Sequence, residues 1–202
     1  MFYRISRFIF KVFLYIFFKI RFFGKENIPD RPYIVAANHA SLIDPPLVGV
    51  ACEKDDVDFM AKEELFNAPI LGLWTRSVGC IKVRRGANSV KSLKEALRRV
   101  NNGRVVSVFP EGTRSSDGSL QSAKRGIGFL IARANVPVVP IYIQNSAQAM
   151  PKSGGIKPGV TINIFIGKPI LPDDFKSSED SSKRDYEKVS NIVMEHISAL
   201  VK

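Results

Sequence analysis

Apolar positions along the chain alternate between short runs and helical stretches. The run YIVAA at 33–37 is bounded by turn residues and predicts a buried strand. A short helix should follow Asp44 to about Val50, and 57–60 predicts a second strand. Residues 62–74 predict a helix broken or kinked near Pro69, because proline lacks the amide donor and crowds the preceding turn. Strands are expected over 78–83 and 104–109. Between them Val90, Leu93, Leu97 and Val100 recur at helical spacing, with Asn88 or Ser89 as cap and Asn102-Gly103 as stop. A helix over 122–134 leads to a strand over 136–143, whose Pro137 and Pro140 predict a bend or a position near an edge. Val160, Ile162, Ile164 and Ile166 alternate on one face of a strand, and an amphipathic helix closes the chain over 184–201. Strands alternating with helices predict an α/β fold with a mostly parallel central sheet flanked by helices.

The segment 2–23, FYRISRFIFKVFLYIFFKIRFF, stands apart, with eight phenylalanines and five cations. On a helical projection Arg4, Arg7, Lys11, Lys19 and Arg21 share one side, and the other side is almost wholly apolar. That pattern predicts an amphipathic helix lying in a membrane interface. Lys11 and Lys19 interrupt the roughly 20 apolar residues that a spanning helix needs. Bulky aromatics up to Phe23 leave no small-residue cleavage site for a signal peptide. A helix buried in the core is the competing reading, and the cations argue against it. The expected organisation is a membrane-interface helix over 1–23 and one domain over 24–202. The expected location is the cytoplasmic face of the cell membrane, in monotopic or peripheral attachment.

Composition narrows the partners. The 202 residues suit one domain with a substantial core, and 30 Lys+Arg against 19 Asp+Glu give a net charge of +11. Such a chain favours nucleic acid, acidic lipid surfaces, phosphorylated substrates or an acidic carrier protein. The aromatics concentrate in one segment rather than interleaving with basic patches, which disfavours nucleic acid. Cys52 and Cys80 form no metal spacing and are expected to be reduced and buried.

Two stretches carry chemistry. His39 sits where the 33–37 strand ends, and Asp44 follows five residues later, directly before Pro45 and Pro46. Asp44 is a natural helix N-cap. However, Pro46 has no amide to offer it, which leaves a carboxylate oxygen for His39. A histidine held by an aspartate has a fixed tautomer and a stabilised imidazolium, as a general base requires. The second stretch is FPEGTR at 109–114, again at a strand end. There Gly112 permits close approach, Thr113 supplies a hydroxyl and Arg114 can fork onto a phosphate. The bland alternative is a glycine turn with a solvated arginine, and the same holds for Arg85 after the 78–83 strand. If these strands are adjacent and parallel, a base faces an anion pocket on one edge of the sheet. The chain has no Gly-rich P-loop, dinucleotide fingerprint or nucleophile elbow. His196 reads as a surface or groove residue without chemistry.

NHASLIDP, GCIKVRRG, FPEGTRS and VPVVPIYI resemble, in order, the four blocks of the glycerolipid acyltransferase family, over about residues 20–170. The second block departs at Lys82, where an aromatic is usual, and this bears on acceptor choice. The resemblance implies that His39 takes the proton from a lysophospholipid hydroxyl while Asp44 orients it. The hydroxyl then attacks an acyl thioester directly. It also implies that Glu111, Gly112, Thr113 and Arg114, with Arg85, hold the acceptor phosphate, and that Lys124 assists. The implied donor is acyl-CoA or an acyl-acyl carrier protein, with no other cofactor and no metal. The implied partners are a lysophospholipid, the thioester donor and an anionic membrane surface, with no nucleic acid. The reaction expected is acylation of the sn-2 hydroxyl of 1-acyl-glycerol 3-phosphate to phosphatidic acid. The alternatives are the same chemistry on glycerol 3-phosphate or another lysolipid, a non-catalytic basic lipid-binding module, and a hydrolase, which lacks its nucleophile.

Overall fold

The computed structural model describes residues 2–84, 89–175 and 185–201. Its strands are β1 (Lys19–Phe23), β2 (Ile34–Ala37), β3 (Val57–Lys62), β4 (Ile81–Val83), β5 (Val105–Val108), β6 (Val138–Gln144) and β7 (Thr161–Ile166). They form one seven-stranded sheet in the order β1-β7-β6-β2-β5-β3-β4. From β6 to β4 all neighbours are parallel, whereas β7 is antiparallel to β6 and carries β1 parallel to itself. The fold is thus the expected α/β arrangement, with a reversed pair of strands at one edge.

Helices α1 (Phe2–Phe17), α2 (Asp44–Ala51) and α4 (Pro69–Ser77) cover one face, with the short α3 (Glu63–Phe66) ahead of α4. Helices α5 (Ser89–Asn101), α6 (Arg125–Ala134) and α8 (Tyr186–Ser198) cover the other, and α7 (Ser146–Ala149) follows β6. Strand β2 is buried at all four positions because both its faces are covered, which is why it reads as a continuous apolar run. The helix expected over 62–74 is two pieces, with Pro69 opening the second, where its missing amide costs nothing. Strand β6 lies inside the sheet, although its prolines suggested an edge. Its ladder to β7 runs only from Ile141, so the absent Pro140 amide falls just beyond the end of β7.

The N-terminal segment departs from expectation. The helix stops at Phe17 and residues 19–23 are a strand, in register with Thr161 to Phe165. Phe18 is buried between them. The cations also turn differently. Arg7 donates to the Asp55 carbonyl at 2.7 Å, and Lys11 pairs with Glu53 at 3.0 Å, so both face the protein. Phe10 meets Trp74 edge to face at 5.3 Å between centroids, and Leu14 is buried. The outward face of α1 is instead mostly apolar, with Phe2, Ile5, Phe8, Ile9, Val12 and Ile16 exposed beside Arg4. Among the described residues no helix is long and apolar enough to cross a membrane.

Candidate active site

Pairing of β2 with β5 sets Ala36 opposite Val108, so the residues that follow each strand meet at one end of the sheet. Asn38 fixes the exit of β2. Its amide group donates to the Ile143 carbonyl at 3.0 Å and accepts the Ile143 N–H at 2.7 Å, which ties it to β6. The His39 carbonyl accepts the Ser115 N–H at 2.8 Å, and the His39 N–H donates to Glu111 Oε1 at 3.1 Å. His39 is therefore clamped on both sides of its own peptide by the loop after β5.

The expected His39–Asp44 pair is present. Asp44 is the first residue of α2 and is fully buried. Its Oδ2 accepts the N–H groups of Ala40 and Ser41, each at 2.7 Å, and lies 2.9 Å from His39 Nδ1. The carboxylate thus reaches backward across its loop rather than forward into the helix, where Pro45 and Pro46 offer no amide. An oxygen already accepting two N–H donors can only accept from the ring. Nδ1 consequently carries the proton, and Nε2 presents its lone pair. The His39 side chain is 17% exposed, enough for a reacting group to reach it.

The loop after β5 divides its residues. Glu111 points inward and is 1% exposed. Burial pushes its carboxyl up to about 7. The Asp44 charge adds to the rise, and the amides of His39 and Gln121 oppose it. Gly112 is exposed at φ 68°, a conformation natural to glycine. A side chain there would crowd Lys124, whose Cγ lies 3.2 Å from a Cβ position. Thr113 and Arg114 are half-buried, and Lys124 is exposed ahead of α6 with its N–H on the Pro110 carbonyl at 2.8 Å. Among the described residues Arg114 forms no ion pair. Phe109, Glu111 and Ser115 thus touch His39, and Lys124 joins the same loop at Pro110 and Gly112.

Arg85 lies outside the described residues. Its neighbour Arg84 pairs with Glu63 at 3.0 Å, as Lys82 does at 3.6 Å while sitting over the Phe66 ring. His196 is exposed on α8, far in sequence from the pair. Both cysteines are buried and their thiols are pushed up to about 12 by that burial, so neither suits nucleophilic attack. Among the described residues no group of His, Cys, Asp and Glu could hold a metal ion. Sequence reasoning missed Asn38, and also Ser41, whose buried hydroxyl donates to the Met150 carbonyl at 2.7 Å. Their position inside NHASLIDP was the only available signal.

Residues 19–144 match the family model described as Acyltransferase. The chain is 34% identical over 162 residues to a chloroplastic 1-acyl-sn-glycerol-3-phosphate acyltransferase of Arabidopsis thaliana, covering 78% of this chain and 45% of that one. It is 28% identical over 159 residues to the 1-acyl-sn-glycerol-3-phosphate acyltransferase of Bacillus subtilis, covering 77% and 76%. The crystal structure of the 1-acyl-sn-glycerophosphate acyltransferase PlsC of Thermotoga maritima superposes with a TM-score of 0.75 at 32% identity, over 94% of this chain and 75% of that one. The chain spans a little under half the length of the chloroplastic relatives of Arabidopsis thaliana and Brassica napus.

Proposed function

Since the chain belongs to the Acyltransferase family, we propose that it moves a fatty acyl group from an acyl thioester to the sn-2 hydroxyl of 1-acyl-glycerol 3-phosphate, giving phosphatidic acid. The observation that carries this reading is the Asp44 carboxylate bound to His39 Nδ1. With the proton on Nδ1, Nε2 accepts the proton of the acceptor hydroxyl as its oxygen attacks the thioester carbonyl. Asp44 stabilises the imidazolium that forms. Collapse of the tetrahedral adduct breaks the C–S bond, and His39 returns the proton to the departing thiolate. The acyl group passes directly to oxygen, so no nucleophilic side chain is required.

Arg114 and Lys124, with the turn at Gly112 and Thr113, supply the positive surface for the acceptor phosphate. The donor is acyl-CoA or an acyl-acyl carrier protein. The apolar face of α1 lies in the interface of an anionic membrane, on the cytoplasmic side. This brings the site to a substrate that stays in the bilayer. A product assay with lysophosphatidic acid and each thioester tests the reading. Phosphatidic acid from the parent, and none from His39→Ala, is the expected result. Acylation of a different acceptor only, or release of free fatty acid, would overturn it.

A further inference from the structure

Glu111 belongs to the stretch expected to hold phosphate, yet its surroundings point elsewhere. It is 1% exposed, whereas the next residue, Gly112, is exposed. Its Oε1 accepts the main-chain N–H of His39 at 3.1 Å, across the β2–β5 pairing. Its Oε2 is buried and meets no hydrogen-bond partner among the described residues. A phosphate oxygen is itself an acceptor, so a carboxylate beside it adds repulsion and no bond. We propose that Glu111 is a positioning residue that holds the His39 peptide in place for proton transfer, and that it does not touch the acceptor phosphate.

The geometry gives this role a direct route to the chemistry. Asp44 fixes the imidazole from its Nδ1 edge, and Glu111 fixes the peptide from which that imidazole springs. Rotation of the peptide would swing Nε2 away from the attacking hydroxyl, and small misplacements of a base are costly in rate. The bond needs an acceptor oxygen, not a charge. A carboxyl lifted to about 7 passes between its neutral and charged forms near physiological pH, and both forms still accept the N–H. An amide oxygen should therefore replace it, which would fail for a residue working through its charge or its proton.

The inference rests on His39 being the base of the proposed acyl transfer, and two measurements keep the two claims apart. In steady-state kinetics with lysophosphatidic acid and palmitoyl-CoA, Glu111→Gln should keep kcat within about threefold. Glu111→Leu, which cannot accept, should lose tenfold or more in kcat with the acceptor KM within twofold. A Glu111→Gln variant as impaired as Glu111→Leu overturns the proposal, as does an acceptor KM raised tenfold in Glu111→Gln. Full activity in Glu111→Leu overturns it as well. The second measurement uses no substrate. Hydrogen exchange at the His39 amide should be equally slow in the parent and Glu111→Gln, and at least tenfold faster in Glu111→Leu. Faster exchange in Glu111→Gln refutes the role even if Glu111→Leu fails to fold or the parent proves to acylate another acceptor.

Discussion

The imidazole of His39 lies nearly flat against the ring of Phe109, with centroids 4.1 Å apart and planes 21° from parallel. The contact follows from the parallel β2–β5 pairing, which brings the first residue beyond β5 over the second beyond β2. It restricts the ring to the plane in which Nδ1 meets Asp44. Phe109→Leu should lower kcat roughly two- to tenfold, matching the 0.5–1.5 kcal/mol or so of an aromatic pair. Phe109→Tyr should keep the rate. Acceptor KM should stay level in both, and a rise there would move Phe109 to the binding surface.

Asp44 serves the ring and the loop together, and two substitutions separate these duties. Asp44→Asn keeps an acceptor for the Ala40 and Ser41 amides but no charge for the imidazolium. It should lose about 10²- to 10⁴-fold in kcat with little change in melting temperature. Asp44→Ala should lose activity and also stability, since two buried amides are left unpaired at about 1–3 kcal/mol each. Equal melting temperatures for the two variants would show that the loop does not depend on the carboxylate.

Arg114 is the half-buried cation of the site with no acidic partner among the described residues. A charged hydrogen bond to phosphate is worth about 1.5–3 kcal/mol, so Arg114→Ala should raise the acceptor KM roughly tenfold to a hundredfold. Donor KM should change far less. Impaired saturation by the thioester alone would place this guanidinium on the donor side.

Glu111 makes stability depend on pH. Its carboxyl titrates near 4.5 when free and at about 7 in the fold, so the folded state binds the proton more tightly. Below 4.5 the group is neutral in both states. Between 4.5 and 7 the native state loses stability as pH rises, by up to about 3 kcal/mol for a shift of this size. Glu111→Gln removes this slope. Its stability advantage over the parent, read from urea unfolding, should grow from pH 5 to pH 8. A constant difference across that range would contradict the raised value.

On the proposed attachment, the outward face of α1 predicts which substitutions would release the chain from lipid. Replacing Phe8, Ile9 and Ile16 by serine removes three exposed apolar side chains, each worth about 1.5–3 kcal/mol when buried, and should abolish sedimentation with anionic vesicles. Lys11→Met should change binding less than threefold, because Lys11 is engaged with Glu53. Comparable losses in the two variants would assign the attachment to headgroup charge.

What the sequence revealed tracks how local each feature is. The His39–Asp44 pair closes within six residues, and the two prolines after Asp44 already redirected its carboxylate. The parallel sheet followed from apolar runs alternating with helical periods. The inward direction of Glu111 was not legible, because it depends on β5 lying beside β2, a contact 72 residues apart in the chain. Strand β1 was missed because KIRFF continues the aromatic and basic composition of the helix before it. Only its register with β7 makes it a strand. The partners of Arg7 and Lys11 were hidden for the same reason, since Asp55 and Glu53 approach through tertiary packing.

A single residue, Phe18, separates α1 from the sheet, and it is buried. The Phe17 carbonyl accepts the Gly159 N–H at 2.8 Å, and Lys19 to Phe23 then run in register along β7. Among the described residues no linker separates α1 from the sheet that carries His39. On the proposed seating of α1 in lipid, the protein would act as a depth gauge: the helix would set the height and tilt of His39 over the bilayer. A flexible insertion at residue 18 would leave both the helix and the chemistry in place while removing the fixed altitude at which they work.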